Sequence, residues 1–578
     1  MIHLKPQLKN KIKIAIIGGG PSGLFMYKRL IEEVNSEYSI DIFEKNDKLG
    51  AGMPYSIHGA NEEHITNVSG NEVPKLVTDI SEWIRTVDES ILHAYGMSAE
   101  NFHNYKVLPR LLFGQYLTAQ FKMLQDSAAK LRIETSVFYN AEVTDIRDDR
   151  EAGKVSVYSG GQCFIYDRVI ICSGHHWPSK YERRFKGCFD SPYPPSKFSS
   201  VKHAAIAIKG ASLTAIDAIR TLARQHGVFD RINDQVIYRL NPADRSFKIV
   251  MHSRNGLLPA VRFHLDDSTL GRESVISKEE IEVIRNNNDG FLPLDEVFER
   301  NFKEPIKEKH PEFYSRIKEM KVEEFVDMIM EMREKIDPFD LLKAEYTEAE
   351  KSIRRRQSVY WKEMLAVLSF AMNYPAKYFS AEDMIRIRRT LLPLISLVIA
   401  FVPQGSAEEL IALHNAEVLD LISVGEDSDV EPHPAGGIIY KYKDETGRQC
   451  AVNYATFIDC TGQPHLDYED FPFSTLRTDG TISPAMVKFR SAGEGKNELE
   501  NGNKLVKPDE CDNYYLRVPG IAINDNFQVL DKYNAYNERV YIMAVPFIGG
   551  FNPDYSGLDF CETASLAIVN SIVTSLKI

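Results

Sequence analysis

A chain of 578 residues with 26% charged and 43% hydrophobic residues has the composition of a folded protein of two or three lobes, which excludes a disordered or fibrous chain. Its formal net charge of -13 argues against a nucleic-acid partner, because phosphate contacts need a basic face. Seven cysteines without a C-x-x-C pair or a zinc-ligand spacing suggest neither a dithiol centre nor a metal site, so redox chemistry has to come from a bound cofactor.

The N-terminus, Met1 to Ile12, is basic but has no continuous apolar stretch of the secretory kind. Lys11 to Ile17 then reads as a buried strand, Gly18-Gly19-Gly20-Pro21-Ser22-Gly23 as a turn, and Leu24, Tyr27, Leu30 and Ile31 as one apolar helix face. In such a turn Gly18 permits the tight reversal, Gly20 lets backbone approach a pyrophosphate, and Gly23 lets the helix pack on the strand. Pro21 and Ser22 open the helix, whose free N–H groups attract anions. A second strand, Ser39 to Phe43, ends at Glu44, 21 positions after Gly23, where a carboxylate can accept hydrogen bonds from a ribose. Strand, turn, helix, strand and acid in this order predict a dinucleotide site.

Glu44 to Ser56, which includes Lys45 and Tyr55, resembles the glycine-containing loop after the ribose acid in two-dinucleotide-binding flavoproteins, and this resemblance implies FAD rather than NAD. His64-Ile-Thr-Asn67-Val-Ser69 is similar to the H-L-L-N-V-P segment of the bacterial FAD/NAD(P)-binding protein family, a region that passes near the flavin ring in proteins of this build. The resemblance makes His64 and Asn67 candidate catalytic residues, although a structural, hydrogen-bonded histidine is the plainer reading of His64. Ala141 to Ile146, with Val143 at its centre, looks like the family's adenine-side strand. Arg168 to Gly174 looks like its A-T-G strand end, placing Ser173 and Gly174 beside FAD. Thr456 to Gly462 repeats that ending. The repetition implies an FAD domain that is interrupted and resumed.

Between the two endings, Ala204 to Ile208 precedes Lys209-Gly210-Ala211-Ser212-Leu213-Thr214-Ala215, a degraded fingerprint of the form G-x-S-x-x-A. Ser212 stands where the middle glycine of the fingerprint belongs. The next strand, Phe247 to Ser253, ends at Arg254, and an arginine there suits the 2'-phosphate of NADPH. Gly210, Ser212, Leu213, Thr214 and Arg254 are therefore the expected NADPH residues.

Residues 267–415 lack strand alternation and read as helices at Lys278 to Arg285, Pro311 to Glu334, Ala349 to Asn373 and Ala381 to Phe401. Leu391 to Val402 is the strongest apolar run, but it is too short for a bilayer and holds Pro393, so it reads as a buried helix. Tyr360, Trp361, Arg386 and Arg388 are candidates to line a substrate pocket, though most such residues belong to a core or a solvated face. At the C-terminus, Val545 to Leu558 resembles the family's final flavin-facing loop, which implies FAD contacts from Asp554, Gly557 and Leu558 and a helix dipole aimed at the flavin.

The expected fold is α/β, with two Rossmann-like dinucleotide-binding domains and an inserted helical region. Residues 1–200 and 416–578 are expected to form the FAD domain, 201–266 the NAD(P) segment, and 267–415 the cover of a substrate pocket. The family resemblance extends to flavin-dependent N-hydroxylating monooxygenases. It implies an FAD enzyme reduced by NADPH that uses molecular oxygen on a small polar metabolite such as an amine or amino acid. An NAD(P)H:acceptor reductase or oxidase, and a non-catalytic flavin-binding regulator, are the alternatives. A cytoplasmic location without a membrane span is expected, and a homo-oligomer is compatible with the sequence.

Overall fold

The computed structural model describes residues 11–201, 205–265, 276–553 and 557–577. Its core is two parallel sheets. The first runs in the order Gln528–Leu530, Tyr536–Ile542, β3 (Arg168–Ile171), β1 (Ile12–Ile17), β2 (Tyr38–Phe43), Glu134–Phe138. β1 pairs in parallel with β2 on one side and β3 on the other, so Ile17 lies between Phe43 and Ile171. Apolar side chains fill both faces of these strands, as a parallel sheet covered by helices requires. Helix α1 (Pro21–Glu32) follows β1, and α2 (Arg110–Lys130) precedes the edge strand.

The second sheet runs Cys188–Phe189, β6 (Thr456–Asp459), β4 (Ala205–Lys209), β5 (Lys248–Ser253), Leu419–Ser423 and is parallel throughout, whereas in the first the edge strand Gln528–Leu530 runs antiparallel to Tyr536–Ile542. Helix α3 (Leu213–His226) follows β4 as α1 follows β1. Each sheet also has its own antiparallel meander. Val143–Asp149, Lys154–Ser159 and Gln162–Tyr166 lead into β3; Asp429–Pro432, Ile438–Lys443 and Gln449–Tyr454 lead into β6.

This duplication corrects one expectation. Residues 416–462 were assigned with the first sheet because Asp459-Cys460-Thr461-Gly462 repeats the strand ending at Cys172-Ser173-Gly174. They run instead in the second sheet, where β6 lies beside β4 with Ile208 opposite Ile458. The two endings mark two domains, each closing its own glycine turn. The chain returns to the first sheet only after Gly462, and the final helix α4 (Gly557–Lys577) packs along α1.

The insertion is helical as expected, with breaks the periodicity did not show. Pro311–Ile317 and Val322–Glu334 are separate helices, and Pro338–Arg355 stops where Arg356 turns left-handed at φ 52° before Tyr360–Ala371 begins. Among the described residues two π turns occur, Glu299–Lys303 and Ile387–Leu391, and each lies just ahead of a proline, Pro305 and Pro393. A proline ring clashes with the carbonyl four residues back and cannot donate to it, so the helix widens rather than break. The insertion packs against both sheets. Phe298, Phe325 and Leu365 join the core of the first sheet, and Phe339 and Leu342 join that of the second. Among the described residues, no helix is long and apolar enough to cross a membrane.

Candidate dinucleotide crevice

The first glycine turn is held by contact. Gly18 has φ +109°, and a Cβ there would stand 2.6 Å from the Cys172 carbonyl oxygen at the end of β3. A Cβ on Gly23 would lie 2.1 Å from the Gly18 oxygen, so α1 leaves the turn with its backbone against the strand. Gly20 caps α1 without a side-chain hydrogen bond, and no acid sits in the first turn, which leaves the helix N–H groups open to an anion. Glu44 is buried with its carboxylate fixed: Oε2 accepts from the Gly19 N–H at 2.8 Å, and Oε1 accepts from the Asn46 N–H and side-chain amide at 2.9 Å. Oε2 keeps a lone pair for a ribose hydroxyl, while both of Oε1's are taken by Asn46.

At the end of β3, the Ser173 hydroxyl is buried and has no hydrogen-bond partner, an orphan of the kind a bound polar molecule satisfies. Ser22 meets Cys561 at 3.4 Å, which places the start of α4 beside the turn. Leu558 is buried at that start, and Gly557 opens the helix. Val143 begins the first meander, Gly174 and Lys45 are exposed, and Asp554 lies outside the described residues. An orphaned hydroxyl, an uncapped helix and an oriented carboxylate around one groove fit an FAD.

The second turn repeats this backbone. Gly210 has φ +106°, and its Cβ would stand 2.7 Å from the Cys460 carbonyl oxygen. Ser212 caps α3 with no side-chain hydrogen bond, Leu213 and Thr214 form the first turn, and Thr214 Oγ1 lies 3.8 Å from where a Gly462 Cβ would be. Ala215 occupies the place of Gly23 and is fully buried. Arg254 follows β5 with 64% of its side chain exposed, facing the still more open Glu426 at 3.5 Å. That contact is worth little in water and leaves the guanidinium able to reach a phosphate.

The two crossings between the sheets are bound together. Gln463 accepts from the His176 N–H at 2.8 Å and donates to the His176 carbonyl at 2.7 Å, and the Trp177 indole donates to the Gly462 carbonyl at 3.2 Å. Beneath them lies a buried ionic cluster. Arg110 at the start of α2 donates to Asp217 of α3 at 2.6 Å, and the Tyr193 hydroxyl donates to the same Asp217 oxygen at 2.7 Å. Burial opposes the charge on both partners, and each restores the other: Arg110 is held above its ordinary range and Asp217 below. His175, stacked on Trp177, is pushed down to about 4 by burial and then by the Arg110 charge, so it presents a neutral ring near this cluster.

His64 takes part in this junction, and its ring is fully engaged. Its Nδ1 accepts from the Asn61 N–H at 3.2 Å, so its Nε2 carries the proton and faces the Asp217 carbonyl at 3.2 Å and Thr221 Oγ1 at 3.0 Å. Burial pushes it down, which keeps it neutral. With both nitrogens committed to protein, His64 fastens the two domains and has no atom left for a substrate. Asn67 is exposed, and its carbonyl accepts from Arg262. Tyr55 packs edge-on against Phe113 at 4.9 Å, close enough for the Arg110 charge to act on it. Arg110, Tyr193, His175, Asp217 and Gln463 were not expected from the sequence. Asp217 lies two residues past the second turn, and its partner Arg110 is 107 residues away.

Residues 15–176 match the sequence profile described as FAD-NAD(P)-binding, and residues 277–399 match that of the YdhS-like middle domain. The protein YdhS of Escherichia coli (strain K12) is 29% identical over 564 residues, covering 97% of each chain. Among solved structures, the FAD-bound cadaverine monooxygenase DfoA of Erwinia amylovora aligns with 98% of this chain and 95% of its own at 12% identity and a TM-score of 0.45. The L-lysine 6-monooxygenase of Pseudomonas syringae aligns over 97% and 99% at 11% identity and a TM-score of 0.43. The bacillithiol disulfide reductase Bdr of Staphylococcus aureus aligns over 98% and 99% at 11% identity and a TM-score of 0.42.

Proposed function

For a chain that joins an FAD-NAD(P)-binding domain to a YdhS-like middle domain, we propose an FAD-dependent oxidoreductase reduced by NADPH, acting as a monooxygenase on a small polar metabolite. The observation that carries this reading is the pair of glycine turns of one backbone form, on two sheets whose crossings are joined through Gln463 and His176. The first turn would hold FAD and the second NADPH. FAD, when bound, accepts a hydride from the reduced nicotinamide and delivers the electrons onward.

The protein's own part is placement. Gly18, Gly20, Ser22 and the first turn of α1 hold the pyrophosphate of FAD, Glu44 its ribose, and Ser173 a polar group deeper in the groove. Gly210, Ser212, Thr214 and Arg254 hold NADPH, with Arg254 on the 2'-phosphate. Arg110, Asp217 and Tyr193 fix α3 to the first domain, so the angle between the cofactors is set before either binds. His175 offers a neutral hydrogen-bonding ring. The reaction would take substrate, oxygen, NADPH and a proton to hydroxylated substrate, water and NADP+.

Seven cysteines without a C-x-x-C pair disfavour a disulfide-reductase route, which leaves an oxidase or a reductase of another small acceptor as the second reading. One assay separates the two. Under anaerobic conditions NADPH should bleach the flavin faster than NADH does. In air, the correct substrate should lower the peroxide released per NADPH consumed. Peroxide that stays stoichiometric with every metabolite tried favours the oxidase, and a flavin that neither nicotinamide bleaches refutes both.

A further inference from the structure

Hydrogen bonding at the two turns fixes which residues of the second match those of the first. The Gly18 N–H donates to the Phe43 carbonyl at 2.8 Å, and the Gly210 N–H donates to the His252 carbonyl at 2.8 Å. Gly18 therefore matches Gly210, and Gly19 matches Ala211. The residue in the place of Glu44 is Ser253, the last of β5, with Arg254 one position further on. In the first turn the two matched positions satisfy each other, because the Gly19 N–H donates to Glu44 Oε2 at 2.8 Å. In the second they do not. A serine is too short to reach across, and the Ser253 hydroxyl is buried without a hydrogen-bond partner. Among the described residues, the N–H of the buried Ala211 has no partner either.

Polar groups left open at one place cost stability until a ligand satisfies them. The chemistry of the set says which ligand. The Ala211 N–H and the Arg254 guanidinium donate and cannot accept, while the Ser253 hydroxyl can do either. A ribose diol seeks a strong acceptor, which the Glu44 carboxylate supplies in the first turn and no carboxylate supplies at Ser253. A set of donors beside a guanidinium suits an anion rich in acceptor oxygens, and a phosphate monoester is such an anion. The acid that faces Arg254, Glu426, is 83% exposed and free to turn away. Ser253 as a whole is only half-buried, so its hydroxyl reaches the groove by rotating about χ1. An acid in its place would repel the same phosphate.

We propose that Ser253 is the residue by which this chain selects NADPH over NADH: its hydroxyl and the Ala211 N–H donate to the 2'-phosphate that Arg254 attracts. This rests on the NADPH reading above. The probes are 2',5'-ADP and 5'-AMP, titrated calorimetrically into the FAD-loaded protein, and NADPH and NADH, compared by anaerobic bleaching of the flavin. The parent protein should bind 2',5'-ADP at least tenfold more tightly than 5'-AMP. Ser253→Ala should weaken 2',5'-ADP about tenfold and leave 5'-AMP unchanged. Its ligand-free Tm should match the parent's, since the hydroxyl it loses has no partner in the protein. Ser253→Thr should keep the preference, and Ser253→Glu, which restores the acid of the first turn, should make NADH the better reductant. A Ser253→Ala protein that binds 2',5'-ADP as tightly as the parent, or a Ser253→Glu protein that still prefers NADPH, overturns the assignment. A parent protein that binds 2',5'-ADP no better than 5'-AMP overturns both it and the NADPH reading. A flavin that neither nicotinamide bleaches removes the oxidoreductase reading and leaves the calorimetry to decide Ser253.

Discussion

The two glycine turns share a backbone and differ in how tightly they are finished. Gly18 and Gly210 adopt nearly the same φ, +109° and +106°, against the same kind of carbonyl, Cys172 and Cys460. Past that point the first turn is all backbone contact and fixed carboxylate, through Gly20, Gly23 and Glu44. The second carries Ser212 and Ala215 in the same places, with the solvent-facing Arg254 beyond them. A turn that closes on its ligand from every side suits a cofactor that stays, and one left looser and cationic suits a cofactor that must leave after each cycle.

The largest effect should come from cutting the link that holds the turns together. Arg110→Met leaves Asp217 buried and uncompensated, at a cost of about 3–5 kcal/mol. Its Tm should fall well below that of the parent protein, and flavin reduction by NADPH should slow more than NADPH affinity weakens. Unchanged Tm would mean that the domains do not depend on the ion pair. Next, Gly23→Ala forces a Cβ into the Gly18 oxygen, about 1–3 kcal/mol of overpacking, and should lower the FAD retained through gel filtration. The reverse exchange at the matching place, Ala215→Gly, should cost only about 1 kcal/mol of helix propensity and leave FAD content unchanged. Equal flavin loss in both would erase the proposed distinction between the turns. The smallest effect is at Arg254→Ala, which should weaken NADPH by about tenfold and NADH little, read from flavin bleaching at varied nicotinamide concentration. Equal weakening of both removes the 2'-phosphate role.

Much of this was legible because it is local. The strand, turn, helix and acid from Ile12 to Glu44 follow from periodicity and spacing, and so does the second turn at Gly210. The helical insertion was legible as a block. Its breaks were not, because Arg356 in a left-handed conformation and the π turn before Pro393 leave no trace in hydrophobic periodicity. The placement of residues 416–462 failed for a different reason. β3 and β6 end in the same residue types, since each has to receive a glycine turn, and the pattern cannot say which sheet it completes. The cluster of Arg110, Tyr193 and Asp217 lay beyond sequence reasoning, as its members come from three segments that meet only in the folded chain. His64 was visible as a histidine in a family-like segment, and its engagement with Thr221 was not.

Gln463 has a mechanical consequence. The chain passes from one sheet to the other twice, at Gly174 to Pro178 and at Thr461 to His465, and a single side-chain amide grips the backbone of the opposite strand of that passage from both sides. A swivel joint has one pin and turns about it. Here two strands run side by side and are cross-braced, so any twist of one lobe must wind both strands together or tear the brace. A large rotation of one lobe against the other therefore has to break both of these hydrogen bonds.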